Sequence, residues 1–252
     1  MYDVNQTARS DLLSSTVFTY QNKRNRECPT LNRSLSISLI PTLKVENVGT
    51  LALTVGGSKD FKGEEQYLLS DGVLSFGLTP QRLNPFFTAQ EGLSVILPIS
   101  IASREQNSLI LGARLAPKLT CDLSATRVAA LQGLSFFGQA VGGHNLHSYE
   151  TSTTGKANTQ TLLGVVAGGE YARGIFGMSL SFSRTQYWKY QKGQSDRYGV
   201  SGEVAANLGD ATSLALGYLN SGNGLKANGQ ESNVSVFSSE DSSIYLGLTG
   251  SI

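Results

Sequence analysis

His144, Asn145, Leu146, His147 and Ser148 form the one stretch in which an imidazole stands beside a hydroxyl, so it is the first place to look for reaction chemistry. A hydrolase built there would need the base against the serine and a third group to orient the base. No Gly-x-Ser-x-Gly frame surrounds Ser148, and these two histidines are the only ones in the chain. No cysteine, aspartate or third histidine joins them at ligand spacing, so a metal site is equally unsupported. The sequence therefore predicts no enzyme, no catalytic residue, no metal and no cofactor. A membrane-embedded lipid hydrolase using His147 and Ser148 stands as the remote alternative.

Four charged residues invite a different chemistry. Arg114, Asp122, Glu170 and Glu203 sit inside stretches of alternating sequence, on the parity otherwise filled by Ser, Thr, Gly and Ala. On the inner wall of a barrel such groups either line a pore and act on passing ions or pair to hold its shape. Both readings stand for these residues. Arg114 and Asp122 flank Pro117 almost symmetrically, which predicts that they meet across a hairpin. With three carboxylates against one guanidinium, an open lumen is expected to favour cations mildly.

The elements that would carry these residues are strands. Charged residues make up 15% of the 252-residue chain and the net charge is +1. An average soluble domain carries about 25% charge, so this surface is poor in charge for water. The balance also lacks the basic footprint of a nucleic-acid partner. With 40% hydrophobic residues and a mean hydropathy of -0.11, the chain is not a bundle of membrane helices either. What recurs is period-two alternation. Ile244, Leu246, Leu248 and Ile252 alternate with small or polar residues up to the last position, and a strand ending so must be paired on both edges. The pattern predicts about twelve strands: Leu12 to Tyr20 (weak), Arg33 to Val45, Thr50 to Gly57, Gly72 to Thr79, Gly92 to Ala102, Ser108 to Ala116, Leu119 to Ala140, Thr161 to Ala172, Gly174 to Arg184, Arg197 to Leu208, Thr212 to Asn220, and Ser242 to Ile252. Pro41 and Pro98 predict bulges.

Connections of two kinds alternate. Tight turns are expected at 46–49, 116–118, 173–174 and 209–210, and long polar loops at 21–32, 58–71, 141–160, 185–196 and 221–241. The segment 80–91 is long but falls on the turn side. Tyr187, Trp188, Tyr190, Tyr198, Tyr218 and Tyr245 cluster near strand ends, where amphipathic rings favour the headgroup level of a bilayer. Cys28 and Cys121 are expected to be unpaired thiols, with a bridge as the alternative. The chain is expected to be one domain over 1–252, with 1–32 an N-terminal segment and 33–252 the main barrel. Met1-Tyr2-Asp3 opens into polar sequence, read as a mature form without its signal peptide.

The alternation, the loop asymmetry and the terminal strand (Ile244, Leu246, Leu248, Ile252) resemble the porin-like outer-membrane proteins of Gram-negative bacteria. The resemblance covers the chain from Arg33 onward as pattern rather than motif. It departs in ending on Ile252 where those proteins end in an aromatic residue. It implies a closed antiparallel transmembrane β-barrel in the outer membrane, with lipids around it, small solutes passing through, and assembly into homo-oligomers. Ala113, Ala125, Ala167 and Ala206 on the apolar parity would allow close packing between copies. The rival reading is a non-conducting structural or surface-interaction barrel.

Overall fold

The computed structural model describes residues 13–24, 31–60, 67–126, 128, 131–209, 212–224, 232–234, 236 and 242–251. Cys28, Ile252 and the segment before Leu13 lie outside them. The strands are β1 (Leu13–Arg24), β2 (Leu31–Val45), β3 (Gly49–Asp60), β4 (Tyr67–Leu69), β5 (Gly72–Leu78), β6 (Gln81–Arg82), β7 (Phe87–Gln90) and β8 (Gly92–Leu97). They continue as β9 (Leu109–Leu115), β10 (Lys118–Asp122), β11 (Leu134–His147), β12 (Thr159–Arg173), β13 (Phe176–Lys189), β14 (Gln194–Asn207), β15 (Thr212–Asn223) and β16 (Ser242–Ser251).

All pairings within this sheet are antiparallel. The path runs β12-β13-β14-β15-β16-β1-β2-β3-β5-β8-β9-β11, and β11 also pairs β12, so it returns to its first member. The link between the chain's two ends is long: β1 pairs β16 from Ser15↔Ser251 to Lys23↔Ser243. Sixteen strands stand among the described residues where the alternation predicts about twelve. β4 is a short flap on β3, and the others arise because long strands are interrupted. β9 and β10 hold one register against β11, from Leu111↔Leu146 to Asp122↔Ser135, across Ala116 and Pro117. β7 and β8 are likewise continuous against β10 and β9.

This corrects two expectations. Ala116-Pro117-Lys118 is not a turn. Proline forfeits one donor but keeps its acceptor, and the Pro117 carbonyl accepts from Ala140 N at 3.1 Å while Ala116 N donates to Gly92 O at 2.7 Å. Nor is Leu119 to Ala140 one strand. Asp122 Oδ1 accepts from Ser124 N at 2.8 Å, starting a short 3-10 turn (Leu123–Ala125), and Gly133 at φ 89° returns the chain into β11. Arg114 and Asp122 therefore stand eight residues apart along one line and do not meet. The segment 80–91 is the end of another hairpin, β6 against β7, its bend held by Asn84 Oδ1 accepting from Phe86 N and Phe87 N. No register shift accompanies Pro41; the β2–β3 pairing omits Ile40 and Pro41 and resumes at Thr42↔Ala52. β8 stops at Leu97, just before Pro98. Several expected loops are partly strand, since β11 runs to His147, β13 to Lys189, and β14 begins at Gln194.

Two faces follow from the two-residue period. On one, Leu163, Leu180 and Leu216 are 56%, 64% and 56% exposed, with Val165, Met178, Ile244, Leu246 and Leu248 also exposed. Such a band of bare apolar side chains marks a surface meant for an apolar surrounding. The other face carries Ser181 and Ser201, hydrogen-bonded at 2.7 Å, with Ser183, Gly199 and Gly217. One glycine here is required by close approach. A Cβ at Gly217 would lie 2.0 Å from Tyr245 Cζ, because the Tyr245 ring crosses Gly217 to reach Glu203.

Gly217→Val is expected to displace Tyr245 and cost about 1–3 kcal/mol by overpacking. Gly138→Ala, where a Cβ meets nothing within 4 Å, should lie within about 0.5 kcal/mol of wild type. Equilibrium unfolding in urea measures both.

Candidate functional site: the mouth of the lumen

Side chains of one parity from neighbouring strands converge on a single cavity of about 450 Å³. β9 supplies Leu109, β11 Asn145 and His147, β12 Thr159, β13 Tyr187 and Lys189, β14 Ser195 and Arg197, and β15 Asn223. Convergence from six strands marks this face as the concave one. The cavity sits where the longer connections join the strands, and Ser103, Asn107 and the 152–158 segment complete its lining.

Its charge is one-signed. Lys156, Lys189 and Arg197 line it, and no carboxylate does among the described residues. Arg197 stacks over the Tyr187 ring at 5.6 Å. Arg114 lies in the wall close by, opposite Gly143, donating to Asn145 Oδ1 at 2.8 Å and to the His144 carbonyl at 3.4 Å. Gly143 makes room for it: a Cβ there would stand 2.3 Å from Arg114 Cδ.

The carboxylates stand apart, toward the turn end. Asp122, Ser135, Glu170, Ser179 and Glu203 follow one another along a single row of paired positions. Arg114, Gly143, Leu162, Tyr187 and Ser195 form a parallel row eight residues higher on each strand. At about 3.3 Å per residue this is roughly 26 Å along the strands, beyond the 8–10 Å screening length of physiological salt. Two carboxylates are engaged: Lys118 Nζ lies 3.9 Å from Glu170 Oε1 and 4.3 Å from the Phe137 ring centroid, and Tyr245 Oη donates to Glu203 Oε2 at 2.6 Å. The concave charge thus differs from the acidic excess that Arg114, Asp122, Glu170 and Glu203 suggest by themselves. Lys118 hid in a presumed turn and Lys189 in a presumed loop, while Arg197 stood at the very start of an expected strand.

The histidine pair does not assemble. Three positions apart on β11, His144 and His147 take opposite faces. His144 Nδ1 bonds Thr161 Oγ1 at 3.1 Å, while the His147 ring sits edge-on to Tyr190 at 5.7 Å. Among the described residues no three His, Cys, Asp or Glu side chains gather as a metal site. Cys121 is a free thiol.

The expected aromatic girdle divides between the faces. Trp188 pairs with Thr161, and Tyr218 with Ile244, on the apolar side. Tyr198, also on that side, is buried beside Gly222. Tyr187 and Tyr245 belong to the concave face, and Tyr190 Oη donates to the Asn145 carbonyl at 3.4 Å. Arg184 stands on the outer face, forked onto Asp196 with its shortest contact at 2.6 Å. Ile244, Leu246 and Leu248 keep their expected alternation.

Against solved structures, the chain matches an outer membrane channel from Pseudomonas putida F1 over 100% of both chains, with a TM-score of 0.64 and 10% identity. It matches the NanC porin over 95% of this chain and 100% of that one, with a TM-score of 0.56 and 10% identity. The KdgM porin in complex with disordered oligogalacturonate matches over 94% and 99%, with a TM-score of 0.54 and 9% identity. The chain has the fold of the porin-like outer-membrane β-barrels. No protein-family model matches it, and no curated protein is similar to it in sequence.

The mouth of this barrel is braced from below its rim. Asp71 accepts from Ser100 N at 3.0 Å and from the Ser103 hydroxyl, fastening the 98–108 connection and its five-residue π-helical turn (Ala102–Gln106). Partial burial pushes the Asp71 carboxyl upward, yet the bonds from Ser103, Ser100 and the Ile99 backbone together outweigh it and hold it below its ordinary value of 3.8. A lowered carboxyl contributes stability that is complete above the unfolded value and disappears as pH falls through the folded one. Relative to Asp71→Asn at each pH, the Ser100 amide should be protected from hydrogen exchange near neutrality. That difference should vanish only below the ordinary carboxyl range.

Proposed function

We propose that this chain is an outer-membrane channel of a Gram-negative bacterium, a closed barrel through which small solutes diffuse passively, and that its mouth favours anions. The observation that carries the reading is the cavity at the loop end, ringed by Lys156, Lys189 and Arg197 without a facing carboxylate. Fixed charge at a narrow mouth raises the local concentration of the opposite ion and so sets which ions pass. The circuit of pairings supports closure, since backbone groups facing lipid have no water to bond and an open edge is excluded there. The exposed leucines of the outer face support the membrane, and the likeness to solved channels and porins supports the architecture.

Arg114, Asp122, Glu170 and Glu203 are proposed as pore-lining residues, Arg114 acting with the cationic mouth. Ile244, Leu246, Leu248 and Ile252 are proposed to form the C-terminal assembly strand. Ala113, Ala167 and Ala206 on the outer parity leave room for a second copy or an ordered lipid, so a homo-oligomer belongs to the same proposal.

Purified protein in a planar bilayer should conduct, with a reversal potential in a salt gradient displaced to the anion side. Lys189→Gln combined with Arg197→Gln should move it toward zero, while Arg184→Gln on the outer face should leave it in place. Absence of conductance would reject the channel in favour of a structural or surface-interaction barrel. A cation-side potential would reject the mouth as the selecting element.

A further inference from the structure

We infer that the β11–β12 connection is a fixed selectivity element, and that Asn158 is the residue that holds its Lys156 in the mouth. Asn158 is 6% exposed although it belongs to a connection at the rim. Its side-chain amide uses both protons on carbonyls from different segments: Nδ2 donates to Asn107 O at 2.8 Å and to Tyr149 O at 2.9 Å. Its backbone N donates to Glu150 O at 2.8 Å, and its carbonyl accepts from Tyr190 N at 3.0 Å. One residue therefore ties together the 98–108 connection, the start of its own connection, and the short link after β13.

The connection is folded on itself as well. Thr151 and Ala157 form an isolated antiparallel bridge. Ser152, 9% exposed, donates its backbone N–H to Lys156 O at 2.8 Å and accepts the Lys156 N–H on its hydroxyl at 3.2 Å. Two backbone bonds then dock this hairpin onto its neighbour, Thr153 N to Gln106 O and Ser148 N to Ser108 O, each 2.9 Å. That neighbour is itself held by Asp71. Lys156 thus stands on a connected set of hydrogen bonds anchored by the buried Ser152 and Asn158, and it meets no carboxylate among the described residues.

A cation on a loose loop would spend its time in water, screened and averaged. Held at the mouth, it acts on passing ions at short range, where its field counts. Asn158 is a positioning residue in this scheme and Lys156 the group that meets the solute. The functional half rests on the channel reading; the fixed hairpin does not.

Two measurements keep the halves separate. Folded protein in lipid vesicles is exposed to trypsin, and fragments ending at Lys156 are counted by mass. The wild-type hairpin should be cut there at least about tenfold more slowly than in Asn158→Leu, which loses both amide donors. Rapid wild-type cleavage at Lys156 overturns the fixed hairpin whatever the protein conducts, and whether or not the variant folds. In planar bilayers, Asn158→Leu should lose as much anion preference as Lys156→Gln and show noisier open current, which Lys156→Gln should not. Joining the hairpin to its neighbour by Gln106→Cys and Thr153→Cys, in a Cys28→Ser, Cys121→Ser background, should restore quiet current and preference to Asn158→Leu. Unchanged selectivity and noise in folded Asn158→Leu overturns the positioning role. Absent conductance in the wild type overturns the channel reading and, with it, the functional half alone.

Discussion

Backbone hydrogen bonding governs this molecule. A wall strand has donors and acceptors along both edges, and in an apolar surround each unmet group costs several kcal/mol. The pairing of β1 with β16 is where the requirement bears hardest, because it joins the chain's two ends through nine consecutive positions from Ser15 to Lys23. Interruptions elsewhere are managed rather than avoided. Pro117 sits in a wall strand because its carbonyl still accepts from Ala140, and the β2–β3 pairing omits Pro41 without losing register. Asp71 and Asn158 serve the same need at the rim, meeting backbone groups of connections that no ladder covers.

Once the ladder is complete, the two-residue period decides everything a side chain does. A slip of one residue would exchange Leu180 for Ser179 and put a lumen of leucine against a wall of serine. Small residues on the concave side give the few large ones room: Tyr245 lies across Gly217 to Glu203, Arg114 against Gly143, and Lys118 over Phe137 toward Glu170. Among the described residues, the concave side has Glu170 and Glu203 engaged toward one end and Lys156, Lys189 and Arg197 around a cavity without a carboxylate at the other.

Much of this was legible in the chain itself. β12 to β16 alternate clearly, and their apolar parity is the exposed face. The missed portions share a cause. Above the apolar band both faces of a strand are polar, so the end of β13 around Tyr187 and Lys189 and the start of β14 at Gln194 to Asp196 look like loop. Proline reads as a turn until its register partners are known, which misplaced Pro117 and hid the continuity of β9 and β10. Asp122 two residues before Ser124 is a local capping signal, and it ends β10. Tyr245 differs: its neighbours Ile244 and Leu246 put it on the inner parity, although its amphipathic ring taken alone suits a headgroup girdle. The buried role of Asn158 depends on carbonyls 9 and 51 residues away, which no local pattern encodes.

The central claim is that one parity faces lipid and the other an aqueous lumen. Leu180→Arg and Ser179→Arg, adjacent on β13, test it most directly when folding free energies are measured in lipid vesicles. The account predicts a penalty of about 2–4 kcal/mol for arginine at Leu180 if that position lies near the bilayer midplane. At Ser179, between Glu170 and Glu203 on the concave side, arginine should cost far less. Equal penalties at the two positions, or a greater one at Ser179, would contradict it.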